Sequence, residues 1–159
     1  MTSIMPAEVT REIAVSSLRL GGANGLFLIA GPCVIESEAH TRSMAERIAA
    51  VCAELKLPYI FKTSYDKANR TSGKSYRGPG LTEGLRVLRK IKDDLKLPIL
   101  TDVHEPAQVP AVAEVADILQ VPAFLSRQTD LLIAAGKCGR AVNIKKGQFV
   151  SPWEMRHAI

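Results

Sequence analysis

The sequence predicts an α/β protein in which parallel strands alternate with helices, and three observations carry that prediction. Two segments show helical apolar spacing. Each of them ends in the same phrase before an apolar, strand-like run: Leu55-Lys56-Leu57-Pro58 before Tyr59, and Leu95-Lys96-Leu97-Pro98 before Ile99. The phrase recurs after 40 residues, a period that suits one strand plus one helix. Strands separated by helices at this spacing pair in parallel, and their nearly unbroken apolar character fits burial on both faces.

Taken in order, residues 26–30 are expected as the first strand, running into Gly31-Pro32-Cys33. Residues 41–55 form a helix with Met44, Ile48, Val51, Cys52 and Leu55 as its apolar stripe, which puts Cys52 in the core. Proline stops that helix, and residues 59–61 follow as the second strand. Residues 81–95 repeat the pattern, with Leu81, Leu85, Leu88, Ile91 and Leu95 inward and Arg86, Arg89, Lys90 and Lys92 as a solvated face. Strands at 99–101, 118–121 and 141–145 and helices at 110–116 and 129–137 complete about five strand and helix units. No linker or low-complexity tract interrupts residues 1–159, which read as a single domain. Two architectures remain open at this point: an open doubly wound sheet, and an eight-stranded barrel, which usually takes at least about 200 residues.

Of the 159 residues, 47% are hydrophobic and 23% charged, which excludes disorder and collagen-like repetition. The longest apolar run, residues 26–35, is about half a bilayer span and contains Gly31 and Pro32, so no membrane partner is expected. The opening residues show no basic start followed by an apolar core, and no secretory leader is expected. Cys33, Cys52 and Cys138 form no Cys-x-x-Cys pair and are odd in number, which points to a reducing cytoplasm. The net charge of +5 fits an anionic partner. With 5% aromatic residues and Trp153 remote from the basic stretch, nucleic acid is not expected.

In parallel α/β folds ligands bind beyond the carboxyl ends of the strands. Those positions hold Cys33, then Lys62-Thr63-Ser64, Asp102-Val103-His104, Gln120-Val121-Pro122-Ala123 and Lys145-Lys146. Residues 62–77 carry five basic side chains (Lys62, Lys67, Arg70, Lys74 and Arg77) against one acid, with hydroxyl and amide donors between them. Arginine forks and lysine point charges are what phosphate and carboxylate require, so this stretch reads as an anion site, with a solvated basic loop as the plain alternative. A single cysteine such as Cys33, taken alone, is more often a small buried apolar residue than a ligand or nucleophile. Asp102 and His104, two apart, could form a pair, join a site, or merely cap a turn.

Taken together, IAGPCVIESE (29–38), FKTSYDKANRTS (61–72), SYRGPGL (75–81), TDVHEP (101–106), LQVPAFLSRQTDLL (119–132) and AVNIKKGQFVSPWEM (141–155) resemble the 3-deoxy-D-manno-octulosonate 8-phosphate synthase family, the 2-dehydro-3-deoxyphosphooctonate aldolases. The resemblance runs in order from about residue 26 to the end. It implies a (β/α)8 TIM barrel, of which this chain supplies about the first five units, and a homotetramer. The implied reaction condenses phosphoenolpyruvate with arabinose 5-phosphate and releases phosphate, on the route to bacterial lipopolysaccharide. A sister family makes a seven-carbon product, 3-deoxy-7-phosphoheptulonate, and tends to carry Lys-Pro-Arg-Thr-Ser. Asn69, in Lys67-Ala68-Asn69-Arg70-Thr71-Ser72, favours the eight-carbon product.

By the same resemblance, Lys62, Ser64, Lys67, Gln120, Ala123 and Lys145 belong to the substrate pocket, chiefly its phosphoenolpyruvate side, and Asn69, Arg70 and Thr71 to the sugar phosphate side. Arg127 would reach a phosphate in a neighbouring subunit, and Asp102 and His104 would orient the lysines and water. Members with cysteine at the position of Cys33 use a divalent metal such as zinc, iron or manganese, and members with asparagine do not. The other metal ligands would come from strands beyond residue 159. Five strands cannot close an eight-stranded barrel, so the expectation is a fragment, inactive unless its other half is supplied, with a non-catalytic anion-binding piece as the alternative.

Overall fold

The computed structural model describes residues 11–159; most of the segment read as free of a secretory leader, and the first ten residues of the expected domain, lie outside them. The chain opens with a hairpin of β1 (Ile13–Val15) and β2 (Leu18–Leu20), paired antiparallel. It continues as β3 (Leu28–Ala30), α1 (Glu38–Glu54), β4 (Tyr59–Lys62), α2 (Leu81–Leu95), β5 (Ile99–Asp102), α3 (Val109–Val115), β6 (Ile118–Val121), α4 (Thr129–Lys137) and β7 (Ala141–Ile144). A 3-10 turn at Pro152–His157 follows.

The larger sheet has the order β3-β4-β5-β6-β7, every pair parallel. That order decides between the two architectures. A doubly wound sheet reverses strand order at a switch point, whereas strictly sequential parallel strands are wound in one direction, as in a barrel wall. The sheet accordingly curls into a half-barrel.

Alternation along each strand divides the core into two. Outward residues Tyr59, Phe61, Ile99, Leu119 and Val121 pack under the helices with Leu88, Ile91, Val112 and Leu131. Inward residues Ile60, Leu100 and Ile118 pack instead against Val15 and Leu20 of the hairpin, at the amino ends of the strands. Above this apolar floor the next inward positions are Lys62, Asp102, Gln120 and Asn143, and parallel register aligns the last three as Asp102↔Gln120 and Gln120↔Asn143. An apolar lower tier and a polar upper tier thus follow from one period-2 pattern.

The repeated Leu-Pro phrase has a repeated geometry. Lys56 and Lys96 both take left-handed backbone angles, φ 52° and 56°, which end α1 and α2 and turn the chain into the proline and the next strand. Gly84 in α2 lets that helix lie on the sheet: a Cβ there would fall 2.2 Å from Tyr65 Cβ.

Three expectations need correction. The buried face of α1 is Thr41, Ala45 and Cys52, while Val51 is 54% and Leu55 69% exposed, because small residues let the helix approach more closely than its larger apolar ones. The basic residues of α2 are not simply solvated: Arg86 and Lys90 bind Glu38, Arg89 donates to Glu114 O, and Lys92 holds Asp117 at 2.8 Å. They fasten α2 to its neighbours. The amino-terminal hairpin was not anticipated at all.

Candidate active site

The carboxyl ends of the parallel strands carry a bonded network. Asp102, 7% exposed at the end of β5, is its hub. Ser64 Oγ donates to Asp102 Oδ2, Gln120 Nε2 donates to Oδ1 at 2.5 Å, and Lys62 Nζ stands 3.3 Å from Oδ2 while donating to Ser64 Oγ at 3.1 Å. Asn143 Nδ2 extends the chain by donating to Gln120 Oε1 at 2.8 Å. A single carboxylate at the end of β5 thus orients an ammonium and a hydroxyl from the end of β4 and an amide from β6. Gly31 closes the neighbouring corner, where a Cβ would meet Lys62 O at 2.0 Å, so only glycine lets the chain after β3 pass β4.

Beside this tier lies a cleft of about 730 Å³ lined by Cys33, Glu36, Lys67, Asn69, Arg70, Thr71, Ser75 and Tyr76. Cys33 is an exposed free thiol. Arg70 donates Nη1 to Ser75 O at 2.8 Å, and its Nε is buried without a partner. Of the five cations counted in residues 62–77, Arg77 is not free: it forms a two-pronged pair with Asp66, at 2.8 and 2.6 Å. Arg77 hydrogen bonds hold the Asp66 carboxyl below its usual range.

Asp102 and His104 do not pair through Nδ1. Asp102 is engaged by Ser64, Gln120 and Lys62, whereas His104 Nδ1 is buried without a partner. The His104 ring stands edge-on to Tyr65 at 5.9 Å, and its backbone N–H donates to Gln108 Oε1 at 2.9 Å. The Tyr65 hydroxyl donates to the same Oε1 at 2.7 Å, and burial raises its pKa far above neutrality, so it stays a proton donor. Lys145 follows β7 with its N–H on Val121 O at 3.0 Å and its side chain exposed. Ala123 begins the 3-10 turn Ala123–Leu125 after β6. Arg127 lies elsewhere: it borders a second cavity of about 530 Å³ between α4 and the last turn, which shares no lining residue with the cleft.

The structure therefore brings Lys62, Ser64, Asp102 and Gln120 into one network, and Cys33, Lys67, Asn69, Arg70 and Thr71 around one cleft. The sequence reading had not singled out Asn143, Gln108 or the Asp66–Arg77 pair. A lone asparagine in an otherwise apolar strand, at an inward position, was the one available signal. Among the described residues no three of His, Cys, Asp and Glu come together as a metal cage; Cys33 shares its cleft with one other residue of these types, Glu36. Among them, too, no helix is long and apolar enough to cross a membrane.

A one-way-wound parallel half-barrel, with an acid-centred polar tier and a loop rich in basic side chains at its carboxyl rim, defines part of a (β/α) barrel protein. The DAHP synthetase I family profile matches residues 6–159, and the chain belongs to that family. It is 61% identical over 145 residues to the 2-dehydro-3-deoxyphosphooctonate aldolase of Koribacter versatilis, covering 91% of this chain and 52% of that protein. It is 55% identical over 151 residues to the enzyme of the same name from Trichlorobacter lovleyi, covering 95% of this chain and 56% of that protein. The Pelobacter propionicus protein of that name is 58% identical over 149 residues, covering 94% of this chain and 55% of that protein. The chain thus spans about half the length of the curated relatives it matches.

Proposed function

We propose that this chain supplies half of a synthase site that joins phosphoenolpyruvate to D-arabinose 5-phosphate and water, giving 3-deoxy-D-manno-octulosonate 8-phosphate and inorganic phosphate. The observation that carries the reading is the juxtaposition of the Asp102-centred tier with the cleft of Lys67, Asn69, Arg70 and Thr71. Two phosphorylated anions bound side by side need two sets of donors: the tier offers the Lys62 ammonium with hydroxyl and amide donors, and the cleft offers Lys67 and Arg70. Asn69 and the shared name of the relatives favour the eight-carbon product over the seven-carbon one.

Lys62 and Lys145, with Lys67, Gln120, Ser64 and the turn at Ala123, hold the phosphate and carboxylate of phosphoenolpyruvate. Asn69, Arg70 and Thr71 hold the sugar phosphate. The enol carbon attacks the sugar aldehyde carbon, water adds at the second carbon of phosphoenolpyruvate, and phosphate leaves by cleavage of its C–O bond. Lysine and arginine charges stabilise the anions that develop. Asp102 holds the Lys62 ammonium in place, and His104 orients water. A divalent metal held by the Cys33 thiolate, with ligands from chain beyond residue 159, would supply Lewis acidity at the rim. In a homotetramer, Arg127 reaches the site of a neighbouring subunit. The assembly works in the cytoplasm, on small molecules rather than nucleic acid or membranes.

The test is phosphate release by this chain joined to the remaining half of the Koribacter versatilis protein, with and without chelator. Turnover that stops with chelator and returns with divalent metal is expected; loss that metal fails to restore removes the role given to Cys33. Lys145→Met removes a charge-assisted contact of about 1.5–3 kcal/mol, a roughly ten- to hundredfold fall in kcat/KM. Unchanged kinetics would withdraw that lysine from the site. A second reading, anion binding without turnover, is favoured by the absence of a three-ligand group among the described residues. Calorimetric binding of phosphoenolpyruvate to the 159-residue chain, with no phosphate released, would support it.

A further inference from the structure

The one acid in the basic segment 62–77 has a definite partner. Arg77 Nε donates to Asp66 Oδ1 at 2.8 Å and Nη2 to Oδ2 at 2.6 Å, fork to fork across eleven positions of sequence. The backbone closes the same gap: Lys67 N–H donates to Arg77 O at 2.6 Å, and Gly80 N–H to Tyr65 O at 3.1 Å. At Gly78, φ is 120° and a Cβ would lie 2.3 Å from Tyr65 O, so the returning chain crosses the outgoing one where only glycine fits. Between these crossing points the chain makes a loop, and Lys67, Asn69, Arg70 and Thr71 all border the cleft from it. Arg77 itself does not line that cleft.

We propose that Asp66 and Arg77 are a positioning pair that clamps the base of this loop, so that Asn69, Arg70 and Thr71 meet a sugar phosphate as one preformed group. The inference rests on the function proposed above and deepens it. Arg77 acts through the loop, because both prongs of its guanidinium are already engaged by Asp66. Several donors on a flexible loop bind an anion weakly, since ordering the loop opposes binding; a loop ordered beforehand avoids that loss. Exposed ion pairs are generally weak, but a two-pronged arginine–carboxylate pair is the geometry in which they hold. Asp66 has a side chain only 21% exposed, which shields the pair from solvent on one side.

The variants Asp66→Asn and Arg77→Lys, and the reversed pair Asp66→Arg with Arg77→Asp, test this in the full chain. Trypsin can cut inside the loop after Lys67, Arg70 and Lys74, and the rate of cutting there reads loop opening without any ligand. Calorimetry with arabinose 5-phosphate, and separately with phosphoenolpyruvate, reads the two subsites. Each single variant should be cut about tenfold faster and bind the sugar phosphate at least about fivefold more weakly, with a smaller fall in phosphoenolpyruvate affinity, because Lys67 alone of that ligand's contacts lies on the loop. The reversed pair should recover much of both losses. Cutting and sugar phosphate affinity that stay within about twofold of the parent chain overturn the clamp, as does an equal weakening for both ligands. Faster cutting with unchanged affinity also overturns it, since the pair would then only fasten a surface loop. If the parent chain binds no arabinose 5-phosphate, the proposed function fails instead, and the cleavage rates alone decide for or against the clamp.

Discussion

Asp102 accepts from Ser64 and Gln120 and faces the Lys62 ammonium at 3.3 Å, so removing it leaves two donors without their acceptor and the ammonium without its counter-charge. Asp102→Ala should destabilise the chain by about 1–3 kcal/mol. The Lys62 side chain is 21% exposed, so water offsets part of the loss that a fully buried charge would suffer. Urea unfolding checks this, and a change below about 0.5 kcal/mol would mean the network is not formed. At this scale the sequence was informative about residue type and poor about partners. Lys62, Asp102 and Gln120 stood out because each is a polar residue at the end of an apolar run. Asn143 did not, because only its register opposite Gln120 gives it a role. Arg77 was counted as a free cation because its acid lies eleven residues back, and nothing in the letters folds that loop.

The contact between α1 and α2 carries a pH dependence. Glu38, in the first turn of α1, binds Lys90 and Arg86 of α2, both at 2.6 Å. The Lys90 hydrogen bond, followed by that of Arg86, lowers its pKa from 4.5 to about 2. A carboxyl lowered in the folded state contributes stability that is present above its unfolded value and lost as pH falls through its folded one. The contribution should therefore be complete above pH 4.5 and disappear towards pH 2. Thermal melts of the parent chain and of Glu38→Gln across that window check it: the parent should lose more melting temperature than the variant, and parallel curves would count against the pair. The boundaries of α2 were legible because leucine spacing and Pro98 agree. The face of α1 was not, since hydrophobicity draws the eye to Val51 and Leu55 while close packing selects Thr41 and Ala45. The hairpin escaped because its strands are three residues each and its turn, with Ser16 at φ 52°, lacks the usual Asn-Gly signal.

For the whole molecule, that unforeseen hairpin fills the lower end of the curled sheet. Leu20, 3% exposed, packs with Ile60, Leu100 and Ile118, and Leu20→Ala should cost about 2–5 kcal/mol in equilibrium unfolding. A cost below about 1 kcal/mol would show that the hairpin is not seated there. Chain length favoured an open sheet, and only the motifs at the strand ends pointed to a barrel, which the sequential strand order then bore out. Burial is also graded across the sheet: every residue of β5 and β6 is buried, while every residue of β3 and β7 is only half-buried. Each of the two marginal strands has one side with no strand beside it among the described residues. In heavy water, backbone amide protons should therefore be replaced by deuterium slowest in the middle strands and progressively faster towards both flanks. A flat profile measured by mass spectrometry would instead reveal that something covers those flanks in solution.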